Sequence, residues 1–398
     1  MNRRETLQSL LAAAAAGATS PLLSADGKPS RVAVMGHSER GSFGHGLDTV
    51  WLGFPGVEIV GVSDPVEKGR ADAAKKLNLS PEAAFADFNE LLEKTSPDLV
   101  AVAPRYVGPH AAMVIAAAKA GAKGIYVEKP FCRDLAEADG MIEACRENGT
   151  KLAIAHRNRY HPVLPVVRDL IEEGGIGTLL EIRARGKEDA RGGCQDLWVL
   201  GSHLLNLVHY FAGDPLSCSA TIFADGKPAT ANDVVEGAEE VGLIAGNEIH
   251  ARYEMANGVP LFFDSIENAG TREAGFGIQF VGTEGIIDLR ADREPLAHLL
   301  AGSPFQPTPD PGSWHPVTSG GVGVPEPVPE IRRQIGGHHA AIHDLIAAIE
   351  EDRPTLCNEE DGRTVVAMTM AAFASHVEDG RRIAFPLEEK QNPFLRFG

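Results

Sequence analysis

The sequence is poor in three things, and each shortage excludes a class of protein. Cysteine is rare: five in 398 residues, with no CxxC pair. An odd count without paired spacing supplies neither a disulfide framework nor a zinc-finger ligand set. Cys132, Cys145, Cys218 and Cys357 stand in patterns of ordinary packing positions. Positive charge is scarce, 37 Lys and Arg against 55 Asp and Glu, for a formal net charge of −18. That balance excludes nucleic acid and acidic membrane surfaces as partners. Long apolar runs are missing too. The uncharged stretch from Ser9 to Ser24 is too short and too rich in alanine for a membrane-spanning anchor. What is left, 43% hydrophobic and 23% charged residues, is ordinary soluble composition, and the length suits two or three domains.

The chain opens MNRRETLQSLLAAAAAGATS, with Arg3 and Arg4 ahead of that uncharged run. Basic, apolar and small-residue zones in this order read as an export signal. The paired arginines resemble the twin-arginine class, whose substrates cross the membrane already folded. Residues 1–28 are therefore set apart as a signal or unstructured segment, and a periplasmic or secreted location is expected. A plain N-terminal tail on a cytoplasmic protein is the alternative.

RVAVMGHSERGSFG begins with a short apolar strand, Arg31 to Met35, and runs into Gly36-x-Ser38-x-x-Gly41. A helical pattern is expected from about Ser42 to Phe54. Strand, tight turn and helix are the parts of a dinucleotide loop, whose helix amides meet a pyrophosphate. Ser38 stands where the middle glycine is usual. The next strand, VEIVGVSD, ends in Asp64. A carboxylate there accepts both hydroxyls of an adenine ribose and repels a 2′-phosphate, which favours NAD over NADP. Capping of the following helix is the plainer alternative for Asp64. DLVAVAP, PHAAMVIAAAKAG, GIYVEKP, a helix from Asp134 to Asn148 and KLAIAH continue the alternation. Such alternation builds an α/β Rossmann domain, a doubly wound parallel sheet with ligands at its carboxyl edge, here over residues 29–155.

At GIYVEKPFCRD the likeness becomes specific. This run, HRNRYHP at 156–162, GTEGIIDL at 282–289 and HVEDGRRIAFPL at 376–387 resemble the oxidoreductase family named for glucose–fructose oxidoreductase, inositol dehydrogenase and a rhizopine-catabolism protein (Gfo/Idh/MocA). The resemblance implies a second, α+β domain over residues 156–398. It would carry an open, mostly antiparallel sheet and a C-terminal helix returning toward the first domain. It also implies that Gly36, Ser38, Gly41, Asp64, Pro104, Glu128 and Lys129 serve a nicotinamide cofactor, with Lys129 beside the substrate hydroxyl. An ammonium at that edge can hydrogen-bond the reacting oxygen and stabilise its developing charge.

A second family signature lies in RGGCQDLWVLGSHLLNLVHYFAGDP, which puts His203 on the family's histidine position, as proton acceptor. Val199 replaces the aspartate expected four residues earlier, and Asn206 stands where another is common. Asp196, seven residues before His203 and on the same face of a regular helix, is the candidate replacement. Arg157, Arg159 and Tyr160 are expected to line a sugar site or to pack the domain junction. His110 resembles a family histidine by the nicotinamide edge. Arg183, Arg185 and Lys187 share one face of LLEIRARGKED, for an anionic substrate or, more simply, for solvent or a second subunit. His339 and His343 have a zinc-compatible spacing beside His338, but no glutamate follows in the metalloprotease pattern, and no metal is assigned. Ser303 to Pro329 is expected to be a long loop carrying Trp314 and His315.

These residues point to an NAD-dependent oxidoreductase acting on a hydroxyl of a sugar, polyol or glycoside. Its partners would be small carbohydrates and, as a homodimer or homotetramer, its own copies. Export would require NAD that stays bound and is recycled in place. An NAD-dependent glycosidase working by transient oxidation, or a non-catalytic cofactor-binding protein, is the alternative.

Overall fold

Residues 28–269, 275–308 and 312–397 are described by a computed structural model. The export segment read over residues 1–28 lies, but for its last residue, outside them. The chain divides into two units. One comprises residues up to Tyr160 with Glu239–Val241 and Glu330–Arg363; the other comprises His161–Ala238, Gly242–Pro329 and the chain from Thr364 onward.

The first unit is built on six parallel strands: β1 (Ser30–Met35), β2 (Val57–Ser63), β3 (Ala84–Phe85), β4 (Leu99–Val102), β5 (Gly124–Val127) and β6 (Lys151–Ile154). β4 and β5 are buried at every position, so they read as unbroken apolar runs rather than alternating ones. Helices α1 (Glu67–Lys76), α2 (Phe88–Thr95), α3 (His110–Lys119) and α4 (Leu135–Asn148) join them. Asp87 and Asp134 cap α2 and α4, accepting from the amides of Glu90 at 3.1 Å and Glu137 at 2.9 Å. The strand order is β3-β2-β1-β4-β5-β6. It reverses between β1 and β4, and ligands of such sheets bind outside the carboxyl ends at that switch point.

The helix expected from Ser42 to Phe54 does not form. Gly41 (φ 79), Ser42 (φ 63), Gly44 (φ 59) and Gly46 (φ 95) all take left-handed backbone, which a right-handed helix cannot accommodate. Turns fill the segment, ending in a 3₁₀ turn at Val50–Gly53. Phe43, Leu47, Val50 and Trp51 are nevertheless buried, so the helix-like apolar spacing reflects burial without helix.

The second unit carries a large sheet, ordered Gly321–Val322, Trp314–Thr318, Ala297–Ala301, Gly285–Arg290, Gly277–Gly282, Leu179–Arg185, Pro260–Ile266, Glu248–Met255, Pro215–Ala224 and Ile383–Ala384. Leu179–Arg185 runs parallel to Pro260–Ile266; the other neighbours along this order are antiparallel. Here the long loop expected over Ser303–Pro329 is corrected. Trp314–Thr318 and Gly321–Val322 form a hairpin on the sheet edge, joined by a two-residue Ser319–Gly320 turn. Of the prolines and glycines that read as loop, Pro316 and Gly321 lie within its strands and Gly320 in its turn.

Candidate functional site

Gly36 follows β1 and leaves no room for a side chain, since a Cβ there would come within 2.0 Å of the Phe43 ring. Its amide donates to Ser63 O at 2.9 Å, and β2 continues directly to Asp64. Ser38, where a glycine is usual, proves to be a support for Asp64. Its amide and its hydroxyl both donate to Asp64 Oδ2, at 2.9 Å and 2.5 Å. The other oxygen, Oδ1, accepts from Val66 N at 2.9 Å, so Asp64 also makes the turn into α1. Asp64 thus shapes the turn ahead of α1 without capping it, since the N-cap is Val66 with no side-chain cap bond, and the buried carboxylate retains one lone pair on Oδ1.

Glu128 is fully buried at the end of β5. It accepts from His45 N at 3.0 Å and His45 Nδ1 at 2.5 Å on Oε1, and from Lys129 N at 2.8 Å on Oε2. Burial raises its pKa, but the His45 hydrogen bond and the charges of His45, Lys129 and His338 outweigh it and bring the group down to about 2. Glu128 therefore acts as a buried anion tying the turn after β1 to the end of β5. Lys129 is 4% exposed. Its charge also reaches His156, which burial first, and then Lys129, lower to about 3, leaving a neutral imidazole.

Pro104 O accepts His110 Nε2 at 2.7 Å, while His110 Nδ1 faces Pro130 O at 2.9 Å. Both ring nitrogens of buried His110 are therefore committed to main-chain carbonyls, where they brace the ends of β4 and β5. Tyr126 Oη meets His338 Nδ1 at 2.6 Å, and burial lowers His338 to about 4.

The substrate-lining expectation is corrected for two of three residues. Arg159 is buried, pairs with Asp361 at 3.2 Å and donates through Nε to Leu356 O at 3.0 Å. Tyr160 is buried and donates to Ile154 O at 3.2 Å. Both pack the first unit's interior, because the 3₁₀ turn Arg157–Tyr160 points them inward. Arg157, in the same turn, is half-buried.

In the second unit His203 is half-buried on the helix Ser202–Ala212. Asp196 does not serve it. Its Oδ2 accepts from Ser265 Oγ at 2.6 Å and Glu188 N at 3.0 Å, and its Oδ1 is buried without a partner. Burial raises its pKa, against these two hydrogen bonds. The physical reason is a π-helical segment, Leu197–Gly201, between the two residues. Wider turns advance less per residue, so seven positions no longer return to one face.

His339 and His343 pack against Phe54, with ring centroids 5.2 and 4.8 Å apart. Among the described residues no three His, Cys, Asp or Glu side chains gather as metal ligands. Arg183 and Arg185 are matched by Glu181 at 2.5 Å and Glu188 at 2.8 Å, which makes that sheet face electrostatically mixed. His45 and His156 carry roles that sequence reading does not assign, and His338 enters it only beside His339 and His343. The signal that could have found His156 is position: it lies two residues beyond β6, at the sheet edge that carries Lys129.

Two family models match the chain: "Oxidoreductase family, NAD-binding Rossmann fold" over residues 30–156, and "Oxidoreductase family, C-terminal alpha/beta domain" over residues 168–385. Levoglucosan dehydrogenase of Pseudarthrobacter phenanthrenivorans is 24% identical over 252 residues, covering 56% of this chain and 62% of that protein, which is under two thirds of its length. D-apiose dehydrogenase of Paraburkholderia graminis is 22% identical over 349 residues, covering 82% and 88%. Among solved structures, an inositol dehydrogenase homologue of Azotobacter vinelandii, complexed with NADH and myo-inositol, superimposes with a TM-score of 0.69 at 16% identity, covering 92% and 99%. At that identity the likeness is one of fold.

Proposed function

The chain belongs to the Gfo/Idh/MocA oxidoreductase family, and on that premise we propose that it oxidises a hydroxyl of a sugar or polyol with NAD as redox partner. The relatives named for levoglucosan, D-apiose and inositols support this substrate class. The observation that carries the reading is buried Lys129, held at the carboxyl end of β5 by a Glu128 carboxylate that also binds the turn after β1. Toward a dinucleotide the chain offers Asp64, which follows β2 with one Oδ1 lone pair uncommitted, and Gly36, which carries no side chain at the end of β1. When bound, NAD supplies the hydride-accepting nicotinamide. Lys129 holds the substrate oxygen and spreads its developing negative charge. His203 takes the hydroxyl proton.

Export of such an enzyme, which Arg3, Arg4 and the following apolar run support, calls for a cofactor that is kept and recycled between two substrates. Its mixed-charge sheet face, with Arg183, Arg185, Asp264 and Arg290 around a groove of about 530 Å³, suits a second copy of the chain. The test is to purify the protein without added nucleotide, denature it and assay for released NAD and NADH. Near-stoichiometric release followed by sugar-to-sugar turnover without added NAD supports the reading. An empty chain that stays inert with NAD and every sugar and polyol tried overturns it.

A further inference from the structure

The turn after β1 lacks the helix whose first amides would meet a pyrophosphate, and its own amides are largely consumed. His37 N and Ser42 N close on each other's carbonyls, Arg40 N donates to His37 O, and Ser38 N donates to Asp64. Positive charge at this end of the sheet comes from two arginines instead. Arg40 lies in the turn after β1, and Arg105 follows Pro104 at the end of β4, so they flank the switch point. Both face carboxylates of Glu239–Val241, a short segment far along the chain that belongs to the first unit.

Arg40 Nε lies 3.1 Å from Glu240 Oε1, and Arg105 Nε lies 3.6 Å from Glu239 Oε2. Main-chain bonds reinforce the arrangement: Val107 N donates to Glu239 O at 3.0 Å, and Tyr106 N to Arg40 O at 3.1 Å. Gly108 makes room for it, since a Cβ there would meet Glu240 Oε2 at 1.9 Å. Two features mark the contact as replaceable. Glu239 (φ 62) and Glu240 (φ 59) are consecutive left-handed residues, a conformation that side chains adopt only when their surroundings impose it. Arg105 Nε and Glu239 Oε2 are both buried, yet neither has a hydrogen-bond partner. Their 3.6 Å separation is an ionic contact left unconsolidated.

We propose that Glu239–Val241 is an acidic strap across the dinucleotide crevice, whose two carboxylates occupy Arg105 and Arg40 until the cofactor's two phosphates replace them. The proposal rests on the dinucleotide reading and assigns Arg40 and Arg105 as the pyrophosphate-binding cations. The strap is the competitor that NAD displaces on entry. Bidentate guanidinium groups suit a diphosphate as well as they suit carboxylates, so the exchange conserves charge pairing at the crevice.

The test is NAD binding to the nucleotide-stripped full-length chain, by titration calorimetry, for the parent, E239Q/E240Q and R40Q/R105Q. The glutamate variant is expected to bind about fivefold more tightly, because its competitor is gone. The arginine variant is expected to bind about tenfold more weakly or worse. If the glutamate variant fails to fold, E240Q alone, with its partly exposed side chain, is used, and a Kd lower than the parent's is again expected. A parent that binds NAD while the glutamate variants match its Kd overturns the strap and leaves the dinucleotide reading intact. A parent that binds neither NAD nor NADP overturns both.

Discussion

His45 Nδ1 lies 2.5 Å from Glu128 Oε1, and the other oxygen of the same carboxylate accepts the amide of Lys129 at 2.8 Å. One buried charge thus holds the turn after β1 and the strand end that presents Lys129. The arrangement has consequences for stability as well as for chemistry.

Glu128 is held at about 2 in the fold, below its ordinary 4.5. A depressed carboxylate contributes stability that is complete above about 4.5 and is lost as pH falls toward 2. The contribution at neutral pH is about 2–3 kcal/mol, reduced somewhat because His45 is half exposed. E128Q is expected to lower stability at pH 7 by about that amount and to flatten the parent's decline below pH 4.5. Urea unfolding of parent and variant at pH 7, 4 and 3 measures it. Parallel curves would mean that Glu128 is not the buried anion described.

K129A is expected to keep its nucleotide yet lose about 10²–10³ in kcat, the loss typical of one group that stabilises a developing oxyanion. H203N should cost about 10²–10⁴. Turnover is followed by the oxidised sugar formed, with bound nucleotide quantified on the same samples. A K129A protein with parental kcat removes Lys129 from the chemistry.

Asp196 gives the opposite expectation. Its pKa is raised, so the charged form is disfavoured in the fold, and its contribution to stability declines as pH rises through the folded value. An asparagine can accept the same Ser265 and Glu188 hydrogen bonds without the charge. D196N is expected to be at least as stable as the parent at pH 7, with the gap shrinking toward pH 4, and to keep kcat/KM within about threefold. A kcat loss like that of H203N would restore Asp196 to the catalytic pair.

R159A leaves Asp361 buried without its guanidinium. Removing one member of a buried pair costs about 3–5 kcal/mol. The expected signature is a lower Tm with KM for sugar unchanged where the protein remains folded. An intact Tm with KM raised tenfold or more would return Arg159 to the substrate site.

The Rossmann sheet was plainly legible, because LVAV and GIYV are buried on both faces and carry that fact in their composition. The position of Lys129 at the carboxyl end of β5 was legible from its place after GIYVE. What the sequence concealed were contacts between distant residues and departures from helical period. Nothing local announces that the Ser38 hydroxyl closes on Asp64, or that Glu239 and Glu240 reach Arg105 and Arg40. The apolar spacing of Phe43, Leu47 and Val50 imitates a helix that left-handed backbone at Gly41, Ser42, Gly44 and Gly46 forbids. The π-turn at Leu197–Gly201 breaks an inference that holds only at 3.6 residues per turn. In Trp314–Val322, proline and glycine hid a hairpin whose first strand follows from pairing with Ala297–Ala301.

The first unit is assembled from three separated stretches of chain, and the last of them includes the helix His339–Glu350, which packs on β5 and β6. During synthesis, residues up to Tyr160 emerge roughly ten to forty seconds before that helix, at about 5–20 residues per second. Until then Tyr126 lacks His338, and Arg159 lacks Asp361. A fragment cut after β6 would therefore lack both partners and the helix that covers β5 and β6.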